Sequence, residues 1–459
     1  MTPSPVTEPS HDLLAKVLSR VSGTADARLY RERWTTLRFA NTRLYQPHWE
    51  DSAGVSLRVA HEGGRIGVAT TTDLTTEGLD RLVRQASALA AQAPPVRSFP
   101  GFLSGHRGHS SSSSATPATV PPRLEAKEAE LERALARCGI LAEPRVAGVY
   151  NEGDCELAVA NTSGLSSVAR RTVAQASFLV EDLARDPPVS GWSEIAHWDP
   201  SHVNLDALAA EALERTPREP AHPVEPGTYR VLLRGPAVAT ILTMLSMGGL
   251  GAFAVEEGWS FLTEPNGAPR IAESLTISDD PSDDRGLPSL IDYEGTPHRP
   301  RHVFERGEAR GPAHDVLTAA RAGVSTTGNA LPPEAPWSSA GPIPLHLVVE
   351  PGTATEDEML RELGRGIVVT RLHYVRYVHR QKTLITGMTR DGTYWVDHGQ
   401  IQHPVANLRV TDSMLGLLAR TLLVGKDARC YNEDERGVLS PVVPSLLVDG
   451  LHFSSATTF

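Results

Sequence analysis

The sequence predicts an α+β protein in which helices pack on an antiparallel sheet and a β-rich region follows. In the first half, short runs of alternating apolar and polar residues stand between stretches with helical periodicity. From Arg270 onward, short apolar runs separated by Gly and Pro turns dominate. Helices and strands in separate stretches indicate the α+β class rather than a parallel α/β sheet.

The chain length and the breaks in composition predict more than one domain. With 459 residues the chain is too long for one ordinary core. We predict a disordered tail over residues 1–10, an N-terminal α+β domain over 11–220 with a flexible Ser/Gly/Pro loop at 104–122, and a β-rich C-terminal domain over 228–459. The Pro- and Glu-rich segment 216–227 is the predicted linker.

The elements of the N-terminal half follow from its two periodicities. Helical spacing of apolar residues predicts helices at 12–22, 74–91, 125–137 and 205–215. Alternation predicts strands at 37–44, 55–61, 65–70, 147–150, 155–161 and 166–180. Their order indicates a layer of helices and strands around one core.

The second half is predicted to open with a strand and a buried helix, at 229–233 and 237–250. Five further strands are predicted at 345–350, 366–374, 384–390, 393–397 and 400–404, with a helix at 413–423. The uncharged run 235–255 is long enough to span a membrane. Its four glycines, its Ser and Thr residues and the lack of a flanking aromatic belt favour a core helix instead.

Charge and cysteine content exclude some partners and compartments. The net charge of −11 argues against nucleic-acid binding, which needs a basic surface. The three cysteines, Cys138, Cys155 and Cys430, are odd in number and far apart, which is typical of the reducing cytoplasm and not of a disulfide framework. The first residues show no basic segment followed by an apolar one, so no signal peptide is predicted. We therefore expect a cytoplasmic protein.

Motifs for metal-dependent hydrolysis are missing. A hydrolytic zinc needs about three N, O or S ligands and a carboxylate that takes a proton from the bound water. No HExxH or HExxxH occurs among the 17 histidines. His373 and His379 flank residues 374–378, and on a strand this even spacing would only put them on one face. Since no carboxylate partner accompanies them, a surface or pore-lining role is favoured over metal ligation.

Four other patterns have simpler interpretations. Ser246 lacks the first glycine of a nucleophile elbow, and Gly249 with Gly251 indicates close packing rather than a dinucleotide loop. The acidic run 279–284 lacks the spacing of a calcium loop and is predicted to be a solvated turn. Seven Arg and Lys residues with one acid lie between 361 and 390, which indicates a solvated or partner-facing side; phosphate binding is the alternative.

The order of several segments carries a resemblance to a known family. The segments are Asp292-Tyr-Glu-Gly-Thr-Pro297, His314-Asp315, Ser325-Thr-Thr-Gly-Asn-Ala330, Val349-Glu-Pro-Gly352, Arg365-Gly-Ile-Val-Val-Thr-Arg371, Pro444-Ser-Leu-Leu-Val-Asp-Gly450 and, near the start, Leu37-Arg-Phe-Ala-Asn41 and Gly64-Arg-Ile-Gly67. Through them the chain resembles the TldD/PmbA family, the modulators of DNA gyrase, and more closely its TldE/PmbA branch. The resemblance covers most of the chain.

The resemblance implies where a zinc site would lie. In that family the TldD-type subunit carries HExxxH on a helix, and a cysteine near the C-terminus completes the site. The matching helix here has Thr243 and Gly248 in place of the histidines and Met244 in place of the glutamate, while Cys430 matches the cysteine's position. We expect no catalytic residue and no metal ligand in this chain, with Cys430 as the one weak candidate.

The resemblance also implies a function and two alternatives to it. The first hypothesis is a non-catalytic TldE-like subunit that pairs with a TldD-like zinc peptidase. The partner would carry HExxxH and the zinc. The pair would act on extended, unfolded or modified peptides such as natural-product precursors or antitoxins. The second is a self-sufficient metallopeptidase with unusual ligands, such as Cys430 with His373 or His379. The third is a regulatory binding protein of the gyrase-modulator type.

Overall fold

A computed structural model of the chain describes residues 8–105, 107–109, 124–263, 269–332, 341–431 and 437–456. It confirms the α+β class: helices pack on an antiparallel sheet in the first half, and two further sheets form the second half. Most of the predicted tail and of the predicted loop 104–122 lies outside the described residues. Within that loop, residues 107–109 form a short strand.

One large sheet organises the first half of the chain. Its strands are β1 (Thr24–Ala40), β2 (Arg43–His61), β3 (Arg65–Thr71), β4 (Arg107–His109), β5 (Pro144–Asn161), β6 (Ser166–Asp182) and β7 (Val189–His197). The order is β3-β2-β1-β5-β6-β4, and β7 also pairs with β6. All these pairs are antiparallel except β4 with β6.

Four helices cover one face of this sheet. They are α1 (Ser10–Leu18), α2 (Thr76–Gln92), α3 (Leu124–Arg137) and α4 (Leu205–Glu214), with 3-10 turns at Cys138–Ile140 and Pro200–His202. Thr75 and Asn204 cap α2 and α4 by accepting from backbone N–H groups of the first turn. Because side chains alternate along a strand, Leu29 and Leu37 of β1 contact these helices while Trp34 faces the second half of the chain.

The second half contains shorter strands and helices. Its strands are β8 (Gly227–Leu233), β9 (Ile277–Asp279), β10 (Arg301–Glu305), β11 (Glu308–Ala309), β12 (Leu347–Val349), β13 (Gly366–His379), β14 (Leu384–Asp397), β15 (Gln400–Pro404), β16 (Leu408–Ser413), β17 (Thr421–Val424), β18 (Arg429–Cys430), β19 (Val442–Val443) and β20 (Leu446–Ala456). Its helices are α5 (Gly235–Gly249), α6 (Ala252–Glu256), α7 (Val316–Ala322), α8 (Glu356–Leu363) and α9 (Met414–Ala419), with a 3-10 turn at Phe261–Thr263.

The ladder of one sheet closes on itself. Strand β13 pairs with β8 on one side and with β14 on the other, and β14, β16, β20 and β8 complete the ring. Strands β15 and β17 attach to β14 and β20 as outer strands. The core inside this ring continues onto α5, where Ile241 and Leu245 are buried.

The remaining sheet connects the two halves. Its order is β11-β10-β9-β12-β19-β18. An apolar cluster joins Val348 and Val442 of this sheet to Trp34 and Val173 of the first sheet. The turn 292–297 also contacts the first sheet, because Ser167 donates a hydrogen bond to the Gly295 carbonyl over 3.2 Å.

A buried charge network strengthens the same junction. The Arg58 guanidinium binds both oxygens of Asp26 at 2.7 and 2.8 Å and Glu294 at 3.1 Å. Glu294 in turn accepts from the backbone N–H of Val316 at the start of α7. Arg58 thereby links the first sheet to the turn and the helix that pack on it.

Several predicted elements differ from the structure for identifiable reasons. The strands predicted at 147–150 and 155–161 are one strand, β5, since Gly153 permits the close approach of the Trp34 ring and does not end the strand. The pair predicted at 384–390 and 393–397 is likewise the single strand β14. The helix predicted at 413–423 ends at Ala419, and its remainder is β17, which pairs with β20.

The predicted core helix in the run 235–255 is confirmed. Helix α5 ends at Gly249 after 15 residues, and a separate helix starts at Ala252. No helix among the described residues is long and apolar enough to cross a bilayer.

Candidate functional site

Helix α5, on which the family resemblance puts the altered motif of Thr243, Met244 and Gly248, is held in the core on nearly all sides. Strand β8 ends in the buried residues Val231–Leu233, and the chain turns at Arg234 into a helix whose first turn contains Pro236. The helix consists of apolar and small residues with Thr240, Thr243 and Ser246 and has no charged residue, so every face can be buried. Gly249 and Gly251 are close-packing positions, as predicted: a β-carbon at Gly249 would lie 2.6 Å from Phe261 Cδ1.

The three positions of the altered motif offer little that could bind a metal. Thr243 is 7% exposed, and its hydroxyl has no hydrogen-bond partner among the described residues. Met244 is partly buried against the core, and its backbone carbonyl accepts a hydrogen bond from the Tyr377 hydroxyl. Gly248 has no side chain, and a β-carbon there would overlap the same Tyr377 hydroxyl.

Tyr377 therefore occupies the space beside the altered motif. It extends from β13 toward α5, and its ring fills the volume that a side chain at position 248 would need. Burial raises the pKa of the phenol, so it stays protonated and donates to Met244 at neutral pH. Zinc is held by thiolate, imidazole or carboxylate ligands, and Thr243, Met244 and Gly248 provide none. The residues present do not fit a zinc ion.

Cys430 lies in a different cluster from the altered motif. It is 1% exposed and packs with Trp34, Cys155 and Val442 at the junction of the two halves. The next residue, Tyr431, packs instead with the core around α5, against Gly235 at the start of that helix. Burial raises the pKa of the Cys430 thiol, which disfavours the thiolate that a metal or a nucleophilic reaction requires.

The two histidines of β13 also stay apart from α5. His373 is half-buried and stacks edge-on against Tyr374, with a centroid distance of 4.7 Å, while His379 is exposed. Bulges in the pairing of β13 with β14 bring both onto the face opposite Tyr377. Within the described parts of the chain, no three His, Cys, Asp or Glu residues are grouped closely enough to hold a metal ion.

Comparison with known proteins decides the family. Residues 226–455 match the PmbA/TldA metallopeptidase C-terminal domain, and residues 25–90 match domain 1 of the same metallopeptidases. The chain belongs to the PmbA/TldD family. The family resemblance predicted from the sequence is thereby confirmed.

Curated relatives in this family are proteases by name. The chain is 26% identical to the metalloprotease PmbA of Escherichia coli O157:H7 over 216 residues, or 46% of this chain and 44% of that protein. It is also 26% identical to a PmbA homologue of Haemophilus influenzae over 198 residues, 42% of this chain and 39% of that protein. The chain thus matches less than half the length of these PmbA/TldD relatives.

Solved structures share the fold over nearly the whole chain. TldE from Thermococcus kodakarensis has a TM-score of 0.82 at 16% identity and covers 96% of this chain and 99% of its own. A candidate modulator of DNA gyrase from Thermotoga maritima has a TM-score of 0.81 at 22% identity, with 96% and 98% covered. At these identities the likeness establishes the PmbA/TldD fold.

A buried polar cluster that the sequence analysis did not identify lies in the second half. Asp279 was predicted to lie in a solvated turn, but it is fully buried at the end of β9. Its carboxylate accepts hydrogen bonds from the Asn329 side chain at 2.7 Å and from the His346 backbone at 3.1 Å, and His298 Nε2 lies 3.8 Å away. The prediction was wrong for Asp279 because an acidic run does not indicate that its first residue belongs to the preceding strand.

The charges in this cluster are set by burial and by the neighbouring groups. Burial opposes the charge of Asp279, but the hydrogen bond and the charge of His298 outweigh it and hold the pKa of Asp279 well below its ordinary value. Burial and the nearby His298 lower the pKa of His346 to about 3, so His346 is neutral and its Nδ1 shares a 3.0 Å hydrogen bond with Ser440. Asn329 belongs to one of the segments by which the sequence resembles the PmbA/TldD family, and that was the available signal.

Proposed function

We propose that this chain is a non-catalytic, TldE-like subunit of a heteromeric zinc peptidase. Its partner would be a TldD-like protein that carries HExxxH and the zinc, and the pair would trim unfolded or modified peptides. The observation that carries this proposal is the contact between Tyr377 and Gly248 on α5.

That contact supports the proposal because the resemblance puts a zinc-ligand position at Gly248, and Tyr377 fills the volume that a side chain there would need. A ligand at position 248 would need the volume of the Tyr377 ring, and Cys430 packs in a separate cluster at the junction of the two halves. Since a structural or catalytic zinc needs at least three protein ligands, several simultaneous changes would be required to build one here. The metalloprotease name of the curated relatives supports a role in peptide hydrolysis, and the chemistry is assigned to the partner.

The outer strands offer places where a peptide or partner could add. Among the described residues, β15 has β14 as its strand partner; the His222 N–H donates to the carbonyl of its last residue, Pro404, and Gln400–Gln402 are exposed. Strand β17 pairs with β20 alone and exposes Leu422. Extended peptides commonly bind by adding a strand to such an edge, where backbone hydrogen bonds give affinity without strict sequence requirements.

Native mass spectrometry with metal analysis tests this function. The chain is co-expressed with a HExxxH-bearing relative from the same organism, and the complex is measured intact. We expect a one-to-one complex with one zinc per pair and no zinc on this chain alone. Stoichiometric zinc in the isolated chain, or cleavage of an unfolded peptide that Cys430→Ala abolishes, would favour a self-sufficient metallopeptidase and overturn the proposal.

A matched pair of variants assigns the chemistry to one subunit. Met244→Ala in this chain should leave peptide cleavage by the complex near the wild-type rate, because Met244 has no group that can act as a base. Replacing the glutamate of the partner's HExxxH by glutamine should abolish cleavage while the complex still forms. Equal losses from both variants would mean that α5 of this chain takes part in the reaction.

A further inference from the structure

The hairpin of β13 and β14 carries a basic and aromatic surface at its end. Strand β13 pairs with β8 only through Ile367–Val369, and the hairpin continues beyond the end of β8 to its turn at 380–383. We call the following exposed or half-exposed residues the hairpin tip: His373, Tyr374, Arg376, Val378, His379, Arg380 and Lys382.

The charge of the hairpin tip is opposite to that of the whole chain. From Arg371 through Arg390 the sequence contains no Asp or Glu, although the chain carries a net charge of −11. Arg371 and Arg390 both pair with Asp391, at 3.2 and 3.8 Å. Among the residues that the structure describes, no carboxylate forms an ion pair with Arg376, Arg380 or Lys382. Arg376 donates one hydrogen bond to the Val375 carbonyl at 2.8 Å, which leaves its charge and its other N–H groups for a ligand.

Two of the cations are held in place by aromatic rings. The Arg380 guanidinium lies over Trp259 and Tyr377, at 4.7 and 5.6 Å from the ring centroids. The Arg376 guanidinium lies 5.7 Å from the centroid of Tyr374. Because these contacts restrict the side chains, a bound anion would cost less conformational entropy than on free arginines.

Tyr374 is unusual in both its backbone and its exposure. Its φ of +52° is rare for a bulky residue, and its side chain is 66% exposed. Val378, at 56% exposure, is a second apolar side chain left in solvent. The ring is held between His373 and Arg376, so the strained backbone presents an aromatic surface outward, where it adds nothing to the core.

We propose that the hairpin tip binds an acidic segment of an unfolded polypeptide. Glutamate or aspartate carboxylates would pair with Arg376, Arg380 and Lys382, and apolar side chains of the same segment would contact Tyr374 and Val378. The occupant follows from charge and exposure: cations without a carboxylate partner among the described residues stand beside the exposed Tyr374 and Val378, which fits a segment that carries both acidic and apolar side chains.

This recognition goes beyond the proposed subunit role. One of the three cations, Arg380, contacts Tyr377, so the test uses Arg376 and Lys382 instead. Arg376 and Tyr377 are adjacent residues of a strand, so their side chains lie on opposite faces. Tyr377 reaches α5, whereas Arg376 faces solvent. Binding at the hairpin tip can therefore be measured on this chain alone, without zinc or a partner.

Fluorescence anisotropy on the isolated full-length chain tests the proposal. The probe is a short fluorescein-labelled peptide rich in glutamate and leucine, compared with the same peptide in which every glutamate is glutamine. Arg376→Gln/Lys382→Gln removes two exposed cations of the hairpin tip. Arg84→Gln/Arg133→Gln removes two exposed cations from α2 and α3 and makes the same change in net charge.

We expect the glutamate peptide to bind more tightly than the glutamine peptide. The hairpin double variant should raise the Kd of the glutamate peptide about tenfold, since each surface charge pair changes a binding constant by up to about fivefold. The α2/α3 double variant should bind like the wild type. Equal binding of both peptides, or equal effects of both double variants, would overturn the proposal. So would a hairpin variant that keeps peptide binding but loses the HExxxH-bearing partner, because the surface would then be an interface between folded subunits.

Discussion

At the scale of single residues, Gly248 and Tyr377 define what α5 can do. The absence of a β-carbon at position 248 lets the phenol reach the Met244 carbonyl, and the phenol then fills the site. The two residues are far apart in sequence, but the position of the Tyr377 ring requires a glycine at 248. In this chain, a histidine at position 248 would require the Tyr377 side chain to move or to be replaced.

Gly248→Ala tests this dependence. Because the new β-carbon would overlap Tyr377, we expect the free energy of unfolding to fall by about 1–3 kcal/mol, the usual cost of overpacking. Urea denaturation followed by circular dichroism measures it. Gly139→Ala is the control, since nothing lies within 4 Å of a β-carbon there. Adding Tyr377→Ala should reduce the cost of Gly248→Ala, and a strictly additive double variant would contradict the contact.

Thiol chemistry tests the placement of Cys430. Cys138, Cys155 and Cys430 are all buried, and burial raises the pKa of the Cys138 thiol to about 11 and that of Cys430 further. We expect iodoacetamide to leave the native chain unmodified at neutral pH and to label all three cysteines in urea, as read by intact mass. Rapid native labelling that disappears in Cys430→Ser would show a reactive thiolate at that position.

At the scale of elements, the closed ladder depends on its last strand. Strand β20 pairs with β8, β16 and β17, so residues near the end of the chain complete a ring that begins at Gly227. Strand β20 was not predicted from the sequence, because its first residues, 446–448, are all buried and buried and exposed residues alternate only over 451–454. Its importance follows from its neighbours, which lie more than 200 positions away in β8.

Phe453→Ala measures the contribution of β20. Phe453 is fully buried near Tyr229, and we expect its truncation to lower the free energy of unfolding by about 3–5 kcal/mol. Leu422→Ala on the outer strand β17 is the control, because Leu422 is 39% exposed and its loss should cost under about 1 kcal/mol. Similar urea midpoints for the two variants would mean that β20 is not central to the core.

At the scale of the whole molecule, buried charges join the two halves. Burial alone would raise the pKa of Asp26, but Arg58 and Arg28 reverse that effect and the pKa lies below its ordinary value. Asp26 therefore contributes stability above the ordinary aspartate pKa of about 3.9, and this contribution is lost as the pH falls through the depressed folded value.

Arg58→Met tests the junction. Removing the cation leaves Asp26 and Glu294 buried without it, which should cost about 3–5 kcal/mol of unfolding free energy at neutral pH. The difference from wild type should shrink in acid, once Asp26 is protonated in both proteins. Arg306→Met removes an exposed pair with Glu273 and should leave the urea midpoint unchanged. A pH-independent difference would contradict the role of Asp26.

Much of the fold and part of the site could be predicted from local patterns. Strand β8 and the core helix α5 were predictable, because a long uncharged run after a strand and a turn forms either a buried helix or a membrane span. The family resemblance identified Thr243, Met244 and Gly248 as the positions of the altered motif. Tyr377 could not be predicted as their neighbour, since nothing in a strand residue indicates which helix its ring will reach.

By itself, the sequence determined the α+β class and the core helix, which follow from periodicity and residue type over a few positions. The order of its segments indicated the PmbA/TldD family. Only the tertiary structure decided that Tyr377 closes the site, that Cys430 lies in another cluster, that Asp279 is buried, and that three cations of one hairpin remain without an ion pair in the described chain. Each of these contacts joins segments that are distant in sequence, and the packing of the whole core determines which segments meet.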